Sequence, residues 1–204
     1  MNRDIKVFVV ENDAAIRESL SALIEGSPGF VCVGSSPNAE SARIVIPNHS
    51  PDVVMMDVHL SGISGIECIR QLKPKCQFRQ FIILTVYYDD SLIFEALAAG
   101  ATGYLLKRAS PVEILDSVHE VFVGGSPMSG QIARRVVQFF RTETADDRVD
   151  PVQIQLSACE NQILTFLSKG FRSREIAVEL NISAETVTTH LRRIYEKLQA
   201  RSRT

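Results

Sequence analysis

Five short apolar runs, each followed by a segment of helical period, fill the first 125 positions of this 204-residue chain. The runs are Ile5–Val10 and residues 30–34, 53–56, 81–84 and 104–106. The helical segments are 14–24, 39–46, 64–72, 91–99 and 111–123, the last with Pro111 in its first turn. Such alternation predicts a parallel sheet with helices on both faces. The runs are continuously apolar rather than alternating, as strands buried on both sides are.

Beyond this the pattern changes. Gly124-Gly125-Ser126-Pro127 breaks the alternation, and residues 131–141 align Ile132, Val136 and Phe140 as one side of a helix. Residues 142–155 are polar and aperiodic and read as a connector. From Leu156 the chain reads as helices and turns. Ser157 and Glu160 have capping-box spacing, Gly170 ends that helix, Ser173 precedes a short one, and Ser183 caps a longer one. The expected division is residues 1–125, a linker at 126–155 and a small all-helical unit at 156–204. Charge follows it: 10 basic and 15 acidic residues in the first part, 8 and 5 in the last. The basic tail suits a polyanion.

No apolar run reaches the ~18–20 residues of a membrane span. The start, Met1-Asn2-Arg3-Asp4, lacks the pattern of a secretory signal. Cys32, Cys68, Cys76 and Cys159 form no C-x-x-C pair, so reduced cysteines in a cytoplasmic protein are expected. Neither a nucleotide loop of the form G-x-x-x-x-G-K nor a Ser-His-Asp set supports an independent enzyme.

In open parallel sheets, ligands bind beyond the carboxyl ends of the strands. Glu11, Asn12 and Asp13 follow the first strand, Asp57 the third, Thr85 the fourth and Lys107 the fifth. Carboxylates, a hydroxyl and an ammonium group drawn to one edge suit phosphoryl transfer onto a carboxylate, with Mg²⁺ holding the acids together. Solvated loop residues are the plain alternative. In the tail, Val187, Leu191, Ile194 and Leu198 form one apolar stripe, leaving Thr188, Thr189, Arg192 and Arg193 opposite and His190 and Lys197 on a flank. A short helix and a tight turn precede it. This is a helix-turn-helix, which places its second helix in the DNA major groove; a merely soluble helix face is the alternative.

Val9-Val10-Glu11-Asn12-Asp13, Met56-Asp57-Val58-His59-Leu60-Ser61-Gly62, Leu84-Thr85 and Gly103-Tyr104-Leu105-Leu106-Lys107 together resemble the receiver domain of bacterial response regulators. Leu156-Ser157-Ala158-Cys159-Glu160, Gly170-Phe171-Arg172-Ser173-Arg174-Glu175, Thr186-Val187-Thr188-Thr189-His190-Leu191 and Lys197-Leu198 resemble the LuxR-type DNA-binding domain. As a whole the chain resembles a NarL/FixJ-type response regulator. The resemblance implies a flavodoxin-like receiver followed by the helix-turn-helix. It implies Asp57 as phosphoacceptor and Glu11, Asn12, Asp57 and the His59 carbonyl as the Mg²⁺ set. Thr85 and Lys107 are implied as phosphoryl partners and Tyr104 as the switch aromatic. Base contacts fall at Thr188, Thr189 and Arg192, and phosphate contacts among Arg172, Arg174, Thr186, His190, Arg193 and Lys197. The implied partners are a sensor histidine kinase, double-stranded DNA and, once phosphorylated, a second copy.

Three departures qualify this. Asn12 stands where the family usually has a second acid, which predicts weaker metal binding. Thr188 stands where many relatives have Lys, which predicts a different recognised sequence. The family's fourth helix, used in packing and dimer contacts, would begin where the chain stops at Thr204. Asn12 also leaves room for a phosphorylation-independent regulator whose receiver is a dimerisation or ligand-sensing platform.

Overall fold

The computed structural model describes residues 3–76, 79–86, 90–142 and 156–201. The first half runs β1 (Ile5–Val10), α1 (Ala14–Glu25), β2 (Phe30–Ser36), α2 (Ala39–His49), β3 (Val53–Asp57), α3 (Gly65–Leu72), β4 (Gln80–Thr85), α4 (Asp90–Ala99), β5 (Gly103–Leu106) and α5 (Pro111–Phe122). The five strands pair in parallel in the order β2-β1-β3-β4-β5. The order reverses at β1 and β3, so a crevice opens beyond their carboxyl ends. Local chemistry starts the helices there. Asp13, Ser64 and Ser110 cap α1, α3 and α5 by accepting from the N–H of Ile16, Glu67 and Glu113.

Two boundaries differ from expectation. β2 continues to Ser36, paired along β1 as far as Val10, so its polar end is held by the ladder. α2 continues through Pro47 to His49. Pro47 lies in the last turn, where its missing N–H removes one helical bond, and the helix then stops at Ser50 in a left-handed conformation (φ 46°).

The apolar interior has two layers. Below the sheet, Leu20 and Ile24 of α1 with Ile114, Val118 and Val121 of α5 cover Val7, Val9, Val53, Met55, Ile82 and Leu84. Above it, α2, α3 and α4 cover Phe8, Val54, Met56, Phe81 and Ile83. This upper layer does not stop at the sheet. Through Tyr104 and Met128 it continues into the helices of the second half.

Those helices are α6 (Gly130–Thr142), α7 (Ala158–Ser168), α8 (Ser173–Glu179) and α9 (Ala184–Arg201). α6 buries Ile132, Ala133 and Val136 and packs on α7, while α9 packs on α7, α8 and also α4. Ser157 and Glu160 close the capping box of α7, and Gly170 follows that helix at φ +94°. Ser173 is the first residue of α8 rather than its cap: Arg172 holds that position, its N–H donating to Glu175. Of the expected connector at 142–155, Thr142 ends α6; residues 143–155, and the side chains of Phe140 and Leu198, lie outside the described residues.

Candidate functional site

The crevice at the strand ends is where the acidic groups meet. Glu11 is 1 % exposed, Asp57 3 % and Thr85 0 %. Lys107 reaches in from beyond β5, its Nζ 2.6 Å from Glu11 Oε2 and 3.0 Å from Asp57 Oδ2. Burial works against its ammonium form, but hydrogen bonds and attraction from the two carboxylates outweigh it and hold Lys107 above its ordinary range. The backbone fixes the geometry. Asp57 pairs with Leu84, Thr85 with Leu106, and the Lys107 N–H donates to the Thr85 carbonyl at 2.8 Å. Gly65 is part of the same construction: a Cβ there would lie 1.9 Å from the Asp57 carbonyl oxygen. α3 therefore starts directly against the chain of Asp57, an approach that only a hydrogen allows.

The loop after β1 is tied down as well. Glu11 Oε1 accepts from the Asp13 N–H at 3.1 Å. Arg17 of α1 donates to the carbonyls of Glu11 and Asn12 at 2.8 and 3.3 Å. Asn12 is exposed, and one oxygen of the Asp13 carboxylate is engaged as the cap of α1. The His59 side chain is exposed on the loop beyond Asp57, and Tyr104 on β5 is fully buried. Two buried carboxylates suit Mg²⁺, which takes one or two protein carboxylates and completes its shell with water, carbonyl and phosphate oxygens.

The second group of candidate residues lies on α8, on its cap and on α9. Arg172, Arg174, Arg192 and Arg193 are exposed; Thr186, Thr188, Thr189, His190 and Lys197 are half-buried. Ser183 caps α9 by accepting from the Thr186 N–H at 3.0 Å. Val187, Leu191 and Ile194 are buried, as the apolar stripe requires. Arg192 lies 3.4 Å from Glu196 at the surface. Two members of the set turn inward. His190 Nε2 lies 3.6 Å from Cys159 Sγ on α7, and Lys197 Nζ lies 2.6 Å from the buried Glu160. Burial works against the Glu160 charge, yet Lys197 and the Ser157 N–H hold its carboxyl below the ordinary range.

The model of the response regulator receiver domain matches residues 7–119, and that of the luxR family of bacterial regulatory proteins matches residues 154–204. The chain belongs to the LuxR-type response regulators. It is 33 % identical to the transcriptional regulatory protein YdfI of Bacillus subtilis (strain 168), over 98 % of this chain and 92 % of that protein. Identity to the nitrate/nitrite response regulator protein NarP of Escherichia coli (strain K12) is 32 %, over 97 % and 90 %. Among solved structures it resembles the response regulator ChrA of a heme-sensing two-component system, with 30 % identity, a TM-score of 0.56 and coverage of 98 % and 94 %. LuxR-type response regulators control transcription and are not enzymes. No helix among the described residues is long and apolar enough to cross a membrane.

In this response regulator the two halves touch through pairings that the sequence pattern does not show. Glu120 of α5 accepts from Ser173 Oγ at 3.3 Å, and Arg172 lies 3.9 Å from Asp116. Within the second half, Arg134 of α6 donates to the Ser168 carbonyl of α7 at 2.5 Å. The Tyr195 hydroxyl donates to the Pro127 carbonyl at 2.9 Å. One signal was available. From Leu92 to Ala99, α4 carries a single charged residue, and a helix apolar on nearly every side has to be covered by something. Ile93, Ala96 and Leu97 are completely buried, in the same layer as Leu191 and Tyr195 of α9.

Proposed function

We propose that a sensor histidine kinase phosphorylates Asp57, and that this controls dimerisation and sequence-specific DNA binding by residues 156–204, with residues 1–125 as receiver and 126–155 as linker, in the cytoplasm. The observation that carries the reading is the single lysine held between two buried carboxylates, Lys107 between Glu11 and Asp57. A carboxylate oxygen of Asp57 attacks phosphorus, the bond to the kinase histidine breaks, and an acyl phosphate forms. Lys107 gives up its pairing with Asp57 for the phosphoryl oxygens, and the Thr85 hydroxyl turns toward them. Glu11, Asp57, Asn12 and the His59 carbonyl would hold Mg²⁺, which when bound neutralises charge on the incoming phosphoryl group.

The new group adds a charge of about −1.5 to −2, by analogy with other phosphorylated side chains. It biases a two-state element made of α4, β5 and Tyr104. α9 packs on α4, so a shift in α4 acts on the reading helix without an intermediary. Thr188, implied as a base contact, lies close to Gly125 at the end of the receiver: a Cβ on Gly125 would come within 3.1 Å of its methyl group. The compact arrangement therefore keeps part of the reading face from DNA. Released, Thr188, Thr189 and Arg192 meet base edges, and Arg172, Arg174, Thr186 and Arg193 meet phosphates. His190 and Lys197 join the phosphate contacts by turning from their inward partners. Two copies then occupy neighbouring half-sites.

Incubation with acetyl phosphate and Mg²⁺ tests the reading: intact mass rises by one phosphoryl group, and the hydroxylamine-sensitive adduct increases affinity for a DNA fragment selected from a random pool. Asn12 favours a second reading, a regulator that works without phosphorylation. No adduct at saturating donor, with DNA binding intact, would establish that reading instead.

A further inference from the structure

Residues 125–128, between α5 and α6, touch both β5 and α9 and are all buried, Ser126 at 1 % and Met128 at 7 %. Met128 forms a parallel bridge with Tyr104 of β5, so this stretch acts as a short sixth edge of the sheet. The Pro127 carbonyl sits at the centre of the junction. It faces the Tyr104 N–H at a long 3.5 Å and accepts from the Tyr195 hydroxyl of α9 at 2.9 Å. A carbonyl has two lone pairs, so one oxygen serves both donors. Tyr104 and Tyr195 are 0 % and 2 % exposed, so neither polar contact is exchanged for water while the halves stay together.

The surroundings leave this stretch little freedom. A Cβ on Gly125 would lie 2.7 Å from the Glu120 carbonyl oxygen, and one on Gly130 would lie 2.6 Å from the Leu167 carbonyl oxygen. A Cβ on Gly103, at the start of β5, would come within 3.1 Å of the Pro127 ring. Movement of β5 is thus passed to Pro127 by close contact rather than absorbed by slack chain. Burial, and after it the charge of nearby Glu120, disfavour the Tyr195 phenolate, and Glu120 accepts from Ser173 Oγ on α8.

We propose that the Tyr195 hydroxyl on the Pro127 carbonyl is the latch that holds the DNA-reading helix against the receiver, and that it is released when β5 moves at Tyr104. The proposal rests on the phosphorylation reading only for what moves β5; the latch itself belongs to the unphosphorylated chain. Tyr195 is a positioning residue here, since it is buried and acts on DNA through the placement of α9.

The test compares the full chain with Tyr195→Phe, which keeps the ring and removes one hydroxyl. Affinity for a DNA fragment selected from a random pool is read by fluorescence anisotropy, before and after acetyl phosphate with Mg²⁺. Losing a buried hydrogen bond of this kind should strengthen DNA binding by the unphosphorylated variant roughly threefold to tenfold. A residue that merely supported the fold of α9 would weaken it. Unphosphorylated affinity that stays the same or falls in a folded Tyr195→Phe overturns the latch. Should that variant not fold, Gly125→Ala, which pushes the same stretch away from Glu120, decides by the same criterion. Failure of the phosphorylation reading looks different: wild type then gains no affinity from the donor, while Tyr195→Phe still binds more tightly without it.

Discussion

The pocket at the strand ends and the reading face on α8 and α9 are built on opposite principles. In the pocket, four strands that are distant in sequence each contribute one group, and Glu11, Asp57 and Thr85 are all at most 3 % exposed. On the reading face, neighbouring residues of two helices supply the candidates, and the four arginines are open to water. A buried ionic cluster is over-determined, because removing one member strands the others without solvent. An open row of donors is additive, because each side chain can lose its partner to water at little cost. The first arrangement suits a site that has to do one reaction, the second a surface that changes its target by small steps.

The sharpest way to break this contrast is at Asp57. Asp57→Ala should abolish the acetyl phosphate adduct altogether in an intact-mass measurement; an adduct that survives would move the acceptor elsewhere. The reading face should respond in degrees. Arg192→Ala should weaken binding to the selected DNA about 10- to 100-fold and relax sequence preference, whereas Arg193→Ala should weaken all sequences alike and lower the salt slope by about 1. Identical salt slopes for the two variants would remove the distinction between base and phosphate contacts.

Glu160 with Lys197 sharpens the comparison from inside the reading domain, since it is a buried pair of the pocket's kind. Lys197→Met strands a carboxylate whose side chain is 4 % exposed, with Lys197 itself 29 % exposed. The expected loss of stability is about 1–3 kcal/mol, discounted for the partly open lysine. Glu160 has a lowered folded pKa, so its contribution is present above the unfolded carboxyl value of ~4.3 and fades as pH falls through the lower folded value. Thermal melts of the two proteins should differ at pH 7 and converge toward acid; a constant gap would dissociate the effect from Glu160. The smallest effect is expected at Asn12, which is exposed. Asn12→Asp should raise Mg²⁺ affinity roughly threefold to tenfold by isothermal titration. Equal affinities would show that the amide ligates as well as an acid.

The same contrast explains what could be read without coordinates. The sheet, its helices and the convergence of Glu11, Asp57, Thr85 and Lys107 were legible, because strand ends fall where apolar runs stop and parallel topology sends those ends to one edge. The helix-turn-helix was legible from Ser183 and the stripe at Val187, Leu191 and Ile194. The capping role of Asp13 was not, since one carboxylate after a strand serves a metal or a helix equally well. Nor was the inward turn of His190 and Lys197, which depends on Cys159 and Glu160 of another helix. Pairings between halves, such as Tyr195 with Pro127, leave no periodic trace: each residue also fits a plain local role. Only the apolar circumference of α4 hinted that something had to cover it.

The upper apolar layer, unbroken from Phe8 beneath α2 to Leu191 on α9, has a thermal corollary. Parting the halves wets apolar surface where α9 packs on α4, and exposing hydrocarbon to water raises heat capacity. The attraction that keeps the molecule folded back on itself therefore weakens in the cold.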